Sequence, residues 1–173
     1  LGIKFFQNFR NIDPERFINV GVAEVNMIEI ASGLALEGKN VYCYSIIPFL
    51  TMKTFEQIRI DLCYNNLNVK LLGAGGGLVY GTEGMTHHAI EDIAIMRALP
   101  NMVVISPTDS IEAKKATQAC ARLNKPVYIR LSREKVPLIT TETTPFEIGR
   151  VEVFYEGKDV AVIATGQMVY RAL

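Results

Sequence analysis

The sequence predicts a doubly wound α/β fold: a mainly parallel sheet with helices on both faces. Three observations lead there. Short β-rich runs alternate with helical runs along the chain, the order that builds right-handed strand–helix–strand units. The β-rich runs are apolar throughout instead of alternating, as in strands buried on both faces. Hydrophobic residues make up 49% of the 173 positions and charged residues 21%, enough apolar material for a core.

Residues 16–20 (RFINV) read as the first strand and 41–45 as the second. Runs at 69–72, 102–105, 127–131 and 160–164 complete the set. Helical patterns lie between them at 24–36, 52–64, 88–99 and 110–123. The last follows Pro107-Thr108-Asp109-Ser110, which supplies capping side chains for an N-terminus. Residues 1–4 show no strand, and residues 134–157, rich in Thr, Pro and Glu, read as a linker with a short β-ribbon at 150–155. The expected division is therefore a domain over 1–133, a linker over 134–157 and the start of a truncated second domain over 158–173.

Formal net charge is zero and no run of Lys or Arg marks a face, so neither nucleic acid nor an anionic membrane is suggested as a partner. No apolar stretch approaches the roughly 20 residues of a membrane span, and nothing resembles a signal peptide. Cys43, Cys63 and Cys120 are odd in number and widely spaced, which reads as reduced core thiols and a cytoplasmic location.

Four segments carry candidate chemistry. In Asn19-Val20-Gly21-Val22-Ala23-Glu24 a carboxylate leaves a strand, crosses a Gly turn and opens an apolar helix. Ligand sites of open α/β sheets lie at that end of the strands. A Glu that merely caps its own helix fits the same pattern. The second segment, Tyr44 to Met52, follows a strand and brings Phe49 to the same rim, where a ring can stack on a flat heterocycle. Phe55 and Tyr44 are rivals for that role, Met52 shares the apolar rim, and core packing would explain each.

The third segment, Gly73 to His88, is Gly-rich, but Leu78 stands where a dinucleotide fingerprint needs its third Gly and no helix opens behind it. His87 and His88 with Glu91 and Asp92 nearby suggest a metal only weakly, because adjacent helical residues point apart. The fourth, Tyr128 to Arg133, ends a strand in a cation whose planar fork suits phosphate or carboxylate, although a surface salt bridge would also explain it.

RFINVGVAEVNM, residues 16–27, resembles the strand–turn–helix of transketolases and deoxyxylulose-phosphate synthases, and the similarity extends from about Phe17 to Arg133. The resemblance implies the pyrimidine-binding domain of a thiamine-diphosphate enzyme. In it Glu24 would hydrogen-bond the cofactor's aminopyrimidine and stabilise the imino tautomer that takes up the thiazolium proton. Phe49 would stack on the pyrimidine, with Met52 and Phe55 beside it. Glu83-Gly84-Met85-Thr86-His87-His88 is similar to the family's acidic-Gly-x-Thr-His-Gln segment, so Glu83 and His87 would meet substrate, His87 at the sugar hydroxyls or the reacting oxygen. Glu83 stands for the usual Asp and His88 for the usual Gln, and Gly75-Gly76-Gly77 lacks a further His that transketolases proper carry. Arg133 would bind the substrate's terminal phosphate.

The Gly-Asp-Gly segment and following Asn that hold Mg²⁺ against the diphosphate in this family occur nowhere in the 173 residues. The resemblance thus implies a separate diphosphate-binding domain or subunit as partner, supplying the Mg²⁺ ligands, and a homo-oligomer (dimer or higher). The implied activity is ketol transfer between sugar phosphates. A deoxyxylulose-type synthase or a 2-oxo acid dehydrogenase beta subunit is the alternative within the cofactor class, and a non-catalytic assembly domain the alternative outside it.

Overall fold

The computed structural model describes residues 6–173; the reading of residues 1–4 lies outside them. A short helix α1 (Gln7–Ile12) and a 3₁₀ turn (Pro14–Arg16) lead to α2 (Glu24–Leu36). The sheet is then laid down as β1 (Val41–Ile46), β2 (Val69–Ala74), β3 (Val103–Ile105) and β4 (Val127–Leu131). Between strands lie α3 (Ile47–Thr51), α4 (Phe55–Gln57) running into a π-wound segment (Ile58–Tyr64), α5 (Asp92–Arg97) and α6 (Ser110–Ala121). A last helix, α7, spans Met168–Ala172. All pairings are parallel and the strand order is β1-β2-β4-β3, so the α/β expectation holds.

Two apolar clusters flank the sheet. One side joins Ile28, Ala31 and Ala35 of α2 to Ile47, Leu50, Ile58, Leu62, Val69, Leu71 and Tyr128. The other gathers Cys120, Val127 and Ile129, with Ile148 packed against them. The buried positions Ile58, Leu62 and Cys63 are spaced for the wide turn of a π-helix. Cys43, Cys63 and Cys120 are free, buried thiols, and burial pushes Cys43 up to about 12 and Cys63 up to about 11. Lys70 is fully buried on β2, where its ammonium donates to Asn68 Oδ1 and to the carbonyls of Leu123 and Lys125. Its three donors thus all find acceptors.

Several expected elements differ. Residues 16–20 form no strand: Asn19 Oδ1 accepts from Gly21 N at 2.9 Å, and Gly21 at φ 75° turns the chain straight into α2. The expected helix over 52–64 is broken, because Pro48 already starts a helix at Ile47 and the chain bends at Met52–Thr54. The expected helix over 88–99 begins only at Asp92, since Ala89 is clamped to Gly77 by a two-way backbone bridge (2.8 and 2.9 Å). Residues 150–155 and 160–164 carry no ribbon or strand. Among the described residues they have no neighbouring strand to complete their hydrogen bonds, and Val151, Val160 and Ile163 stay exposed.

Residues 139–148 do not hang free. Asp109 caps α6 through Oδ1, which accepts from Ile111 N (3.0 Å) and Glu112 N (2.9 Å). Glu112 in turn accepts from Thr108 N, a reciprocal cap. Asp109 also accepts from Ile139 N, Thr140 N and the Thr140 hydroxyl, while Lys115 donates to the carbonyls of Thr141 and Thr144.

Candidate active site

Three strands that are neighbours in the sheet, β1, β2 and β4, end on one rim. The segment after β1 carries Phe49 and Lys53, the loop after β2 carries Tyr80, Glu83 and His87, and the segment just after β4 carries Arg133. The start of α2 reaches the same rim, since Glu24 at its first position meets Lys53.

Glu24 is 9% exposed. Its Oε2 accepts from Lys53 Nζ at 2.7 Å. Burial alone would push this carboxyl up. The Lys53 hydrogen bond, the helix's own first N–H, the Lys53 charge and the Ser45 hydroxyl together outweigh it, and the group lies below the ordinary carboxylate range. The result is an ionised carboxylate held almost out of water at a helix N-terminus.

A chain of ring contacts runs along the rim beside it. The half-buried Phe49 meets the His87 ring edge-on (centroids 5.2 Å apart), and His87 meets Tyr80 in the same way at 5.7 Å. The Arg133 guanidinium lies over the Tyr80 ring, 5.3 Å from its centroid. Tyr44, on β1 next to Ser45, feels both Tyr80 and Arg133. The Thr86 hydroxyl lies 3.0 Å from His87 Nδ1, and His88 Nε2 lies 3.2 Å from the Gly81 carbonyl oxygen.

Gly75 is what lets Tyr80 lie there. Its φ is 87°, and a Cβ would come within 1.9 Å of the Tyr80 ring. Beneath the loop, Arg130 donates to Asp92 Oδ2 (2.8 Å) and to the Ala89 carbonyl, and Tyr128 also donates to Asp92 Oδ2 (2.6 Å). Arg130 is thereby occupied inside the fold while Arg133 stays exposed.

The other expected site residues scatter. Glu83 is exposed, close enough to Tyr80 to bear on its hydroxyl. Met52 is half-buried next to Lys53, and Phe55 packs against the main core cluster. Among the described residues, no group of three or more His, Cys, Asp or Glu is placed to hold a metal ion, and no helix is long and apolar enough to cross a membrane. Two recesses of about 250 and 370 Å³ lie elsewhere, and neither is lined by Glu24, Phe49 or His87.

Residues 2–138 match the transketolase pyrimidine-binding domain family. The chain belongs to that family. It is 38% identical over 158 residues to one subunit of the apulose-4-phosphate transketolase of Actinobacillus succinogenes, an alignment covering 91% of this chain and 51% of that one. It is 36% identical over 162 residues to the 1-deoxy-D-xylulose-5-phosphate synthase of Syntrophus aciditrophicus, covering 92% and 25%. A solved structure described as a split gene transketolase, inactive beta4 tetramer, superposes with a TM-score of 0.88 at 39% identity, covering 98% of this chain and 55% of that one. The chain therefore spans about half the length of the subunit relatives it matches.

In this pyrimidine-binding domain, two rim residues carried no signal that spacing could expose. Lys53 meets Glu24 across 29 positions of sequence, beyond any helical i,i+4 pattern. Tyr80 sits inside the Gly-rich loop, and only the bare Gly75 hinted that something must lie close to the backbone there.

Proposed function

We propose that this domain supplies the pyrimidine-binding half of a thiamine-diphosphate-dependent transketolase-type active site, working on phosphorylated sugars. The observation that carries the reading is Glu24, a nearly buried and ionised carboxylate at a helix start on the ligand-binding rim of a transketolase-family sheet. The residues present fit an aminopyrimidine. A carboxylate oxygen can accept from a protonated ring nitrogen, and Phe49 offers an apolar ring beside it. Among the described residues no carboxylate cluster suits Mg²⁺, and the metal and diphosphate ligands are assigned to a partner domain or subunit.

When bound, the cofactor supplies the stabilised carbanion that two-carbon transfer requires. The protein's share is placement and charge. Glu24 holds the ring nitrogen and its proton, and Phe49 fixes the ring plane. His87, in contact with Phe49, Tyr80 and Thr86, exchanges a proton with a sugar oxygen in this reading. Arg133 takes the terminal phosphate. That the Actinobacillus relative is named as one subunit of its transketolase supports an assembly of two unlike chains. Glu24→Gln is the test: in the assembled enzyme it should leave the fold intact and lower turnover by about 10²–10⁴. Near-normal turnover would remove Glu24 from the cofactor's chemistry.

A further inference from the structure

Lys53 has no role in the reading above except as the neighbour that Glu24 happens to meet. Its surroundings argue for more. The helix that Glu24 opens has Ala23 at its cap position, with no side chain to satisfy the first amides. A Glu at that place would ordinarily fold back onto its own helix. Here the carboxylate does take the first N–H of its own helix, but a cation with a fixed base also holds it at the rim. Met52 N and Lys53 N both donate to the Pro48 carbonyl, at 3.0 and 3.1 Å. On either side of Lys53, the Thr51 and Thr54 hydroxyls donate to the buried carbonyls of Ile47 and Leu50. The turn is thus locked from both sides, while the lysine side chain is 48% exposed.

We infer that Lys53 is the positioning residue of the site, holding the Glu24 carboxylate on the rim through its hydrogen bond and ion pair to Oε2. The inference rests on the reading of Glu24 given above and adds a second residue to it. Fold stability does not account for the pair, because an ion pair with one half-exposed partner adds little. The groups that act on the carboxylate are Lys53 from the turn after α3, Ser45 from β1 and the first N–H of α2. Removing Lys53 takes away two of the influences that hold the carboxyl low, so its pKa rises in the variant.

The test uses the assembled protein, this chain with its diphosphate-binding partner, and compares wild type, Lys53→Met, Lys53→Arg and Glu24→Gln. Thiamine diphosphate with Mg²⁺ is titrated by calorimetry, and turnover is followed against pH. Lys53→Met should bind the cofactor ~10-fold more weakly, the loss of one charge-assisted contact to its partner carboxylate. It should also move the acid limb of turnover to higher pH with an unchanged melting temperature, and Lys53→Arg should restore both. Unchanged binding with an unmoved acid limb overturns the inference. So does tighter binding, which would make Lys53 a placeholder that the cofactor must displace. Glu24→Gln keeps the two levels apart. If it remains active, Glu24 and Lys53 fall together; if it is inactive while Lys53→Met behaves as wild type, Lys53 falls alone.

Discussion

Arg133, two residues past the end of β4, lays its guanidinium over an aromatic face and pairs with no carboxylate among the described residues. Stacking leaves the edge of the planar fork, where its N–H donors lie, open to a phosphate. His87 is tied to the same Tyr80 ring, so the proposed phosphate clamp and the proposed hydroxyl contact share one support. Arg133→Ala should raise KM for a phosphorylated sugar by the 1.5–3 kcal/mol of a charge-assisted hydrogen bond, about 10- to 150-fold, and barely affect an unphosphorylated analogue. His87→Ala should impair both substrates alike and leave cofactor affinity near normal. Steady-state kinetics with the matched pair of sugars separates the outcomes. An equal loss on both substrates from Arg133→Ala would make that residue structural.

Among the elements, α6 shows how one cap can serve two purposes. Asp109 begins the helix and, through the same carboxylate, grips residues 139 and 140. Burial would raise its pKa, but the backbone and Thr140 hydrogen bonds dominate and leave it below its ordinary value of 3.8. The stability it contributes is therefore complete above about pH 3.8 and is lost as pH falls through the lower folded value. Asp109→Asn keeps an oxygen for the cap but cannot accept from all the remaining donors. It should cost about 1–3 kcal/mol at neutral pH, measured by denaturant unfolding, and the difference from wild type should shrink in acid. The cap itself was legible, since Pro107-Thr108-Asp109-Ser110 before an amphipathic run signals a helix start, and α2 was readable from Glu24 to Leu36. The second grip was not. It joins positions thirty or so apart, and the Thr- and Pro-rich composition of 134–157 reads as a spacer when its partners are unseen. Residues 16–20 misled for a related reason: β-rich composition promises a strand, but only a neighbouring strand makes one.

For the whole molecule, the proposed half-site predicts apolar side chains left uncovered near the rim. Val22 is 93% exposed, Met85 88% and Ile90 68%, all close in sequence to the proposed site residues. Stacking one heterocycle gains about 1–3 kcal/mol by analogy with nucleic-acid bases, against about 8 for micromolar affinity. The diphosphate, left in water without a metal, would add nothing. This chain alone should self-associate yet bind thiamine diphosphate poorly, and adding the diphosphate-binding partner with Mg²⁺ should restore binding and ketol transfer together. Calorimetry on the purified chain is the measurement. Mg²⁺-dependent micromolar binding without a partner would overturn the interface reading.

The strand order has a consequence for how the fold is reached. β4 lies between β2 and β3, although it is the last of the four to leave the ribosome. Until residues 127–131 emerge, β2 offers a bare hydrogen-bonding edge and β3 has no neighbour. Lys70 waits as well, because the carbonyls that receive its ammonium, Leu123 and Lys125, are made only just before β4. One five-residue insertion therefore closes the sheet on two sides and seals a buried cation in the same event. A nascent chain stalled ahead of that insertion carries an open edge able to recruit a strand from another molecule, so mispairing is the hazard of the period before β4 arrives.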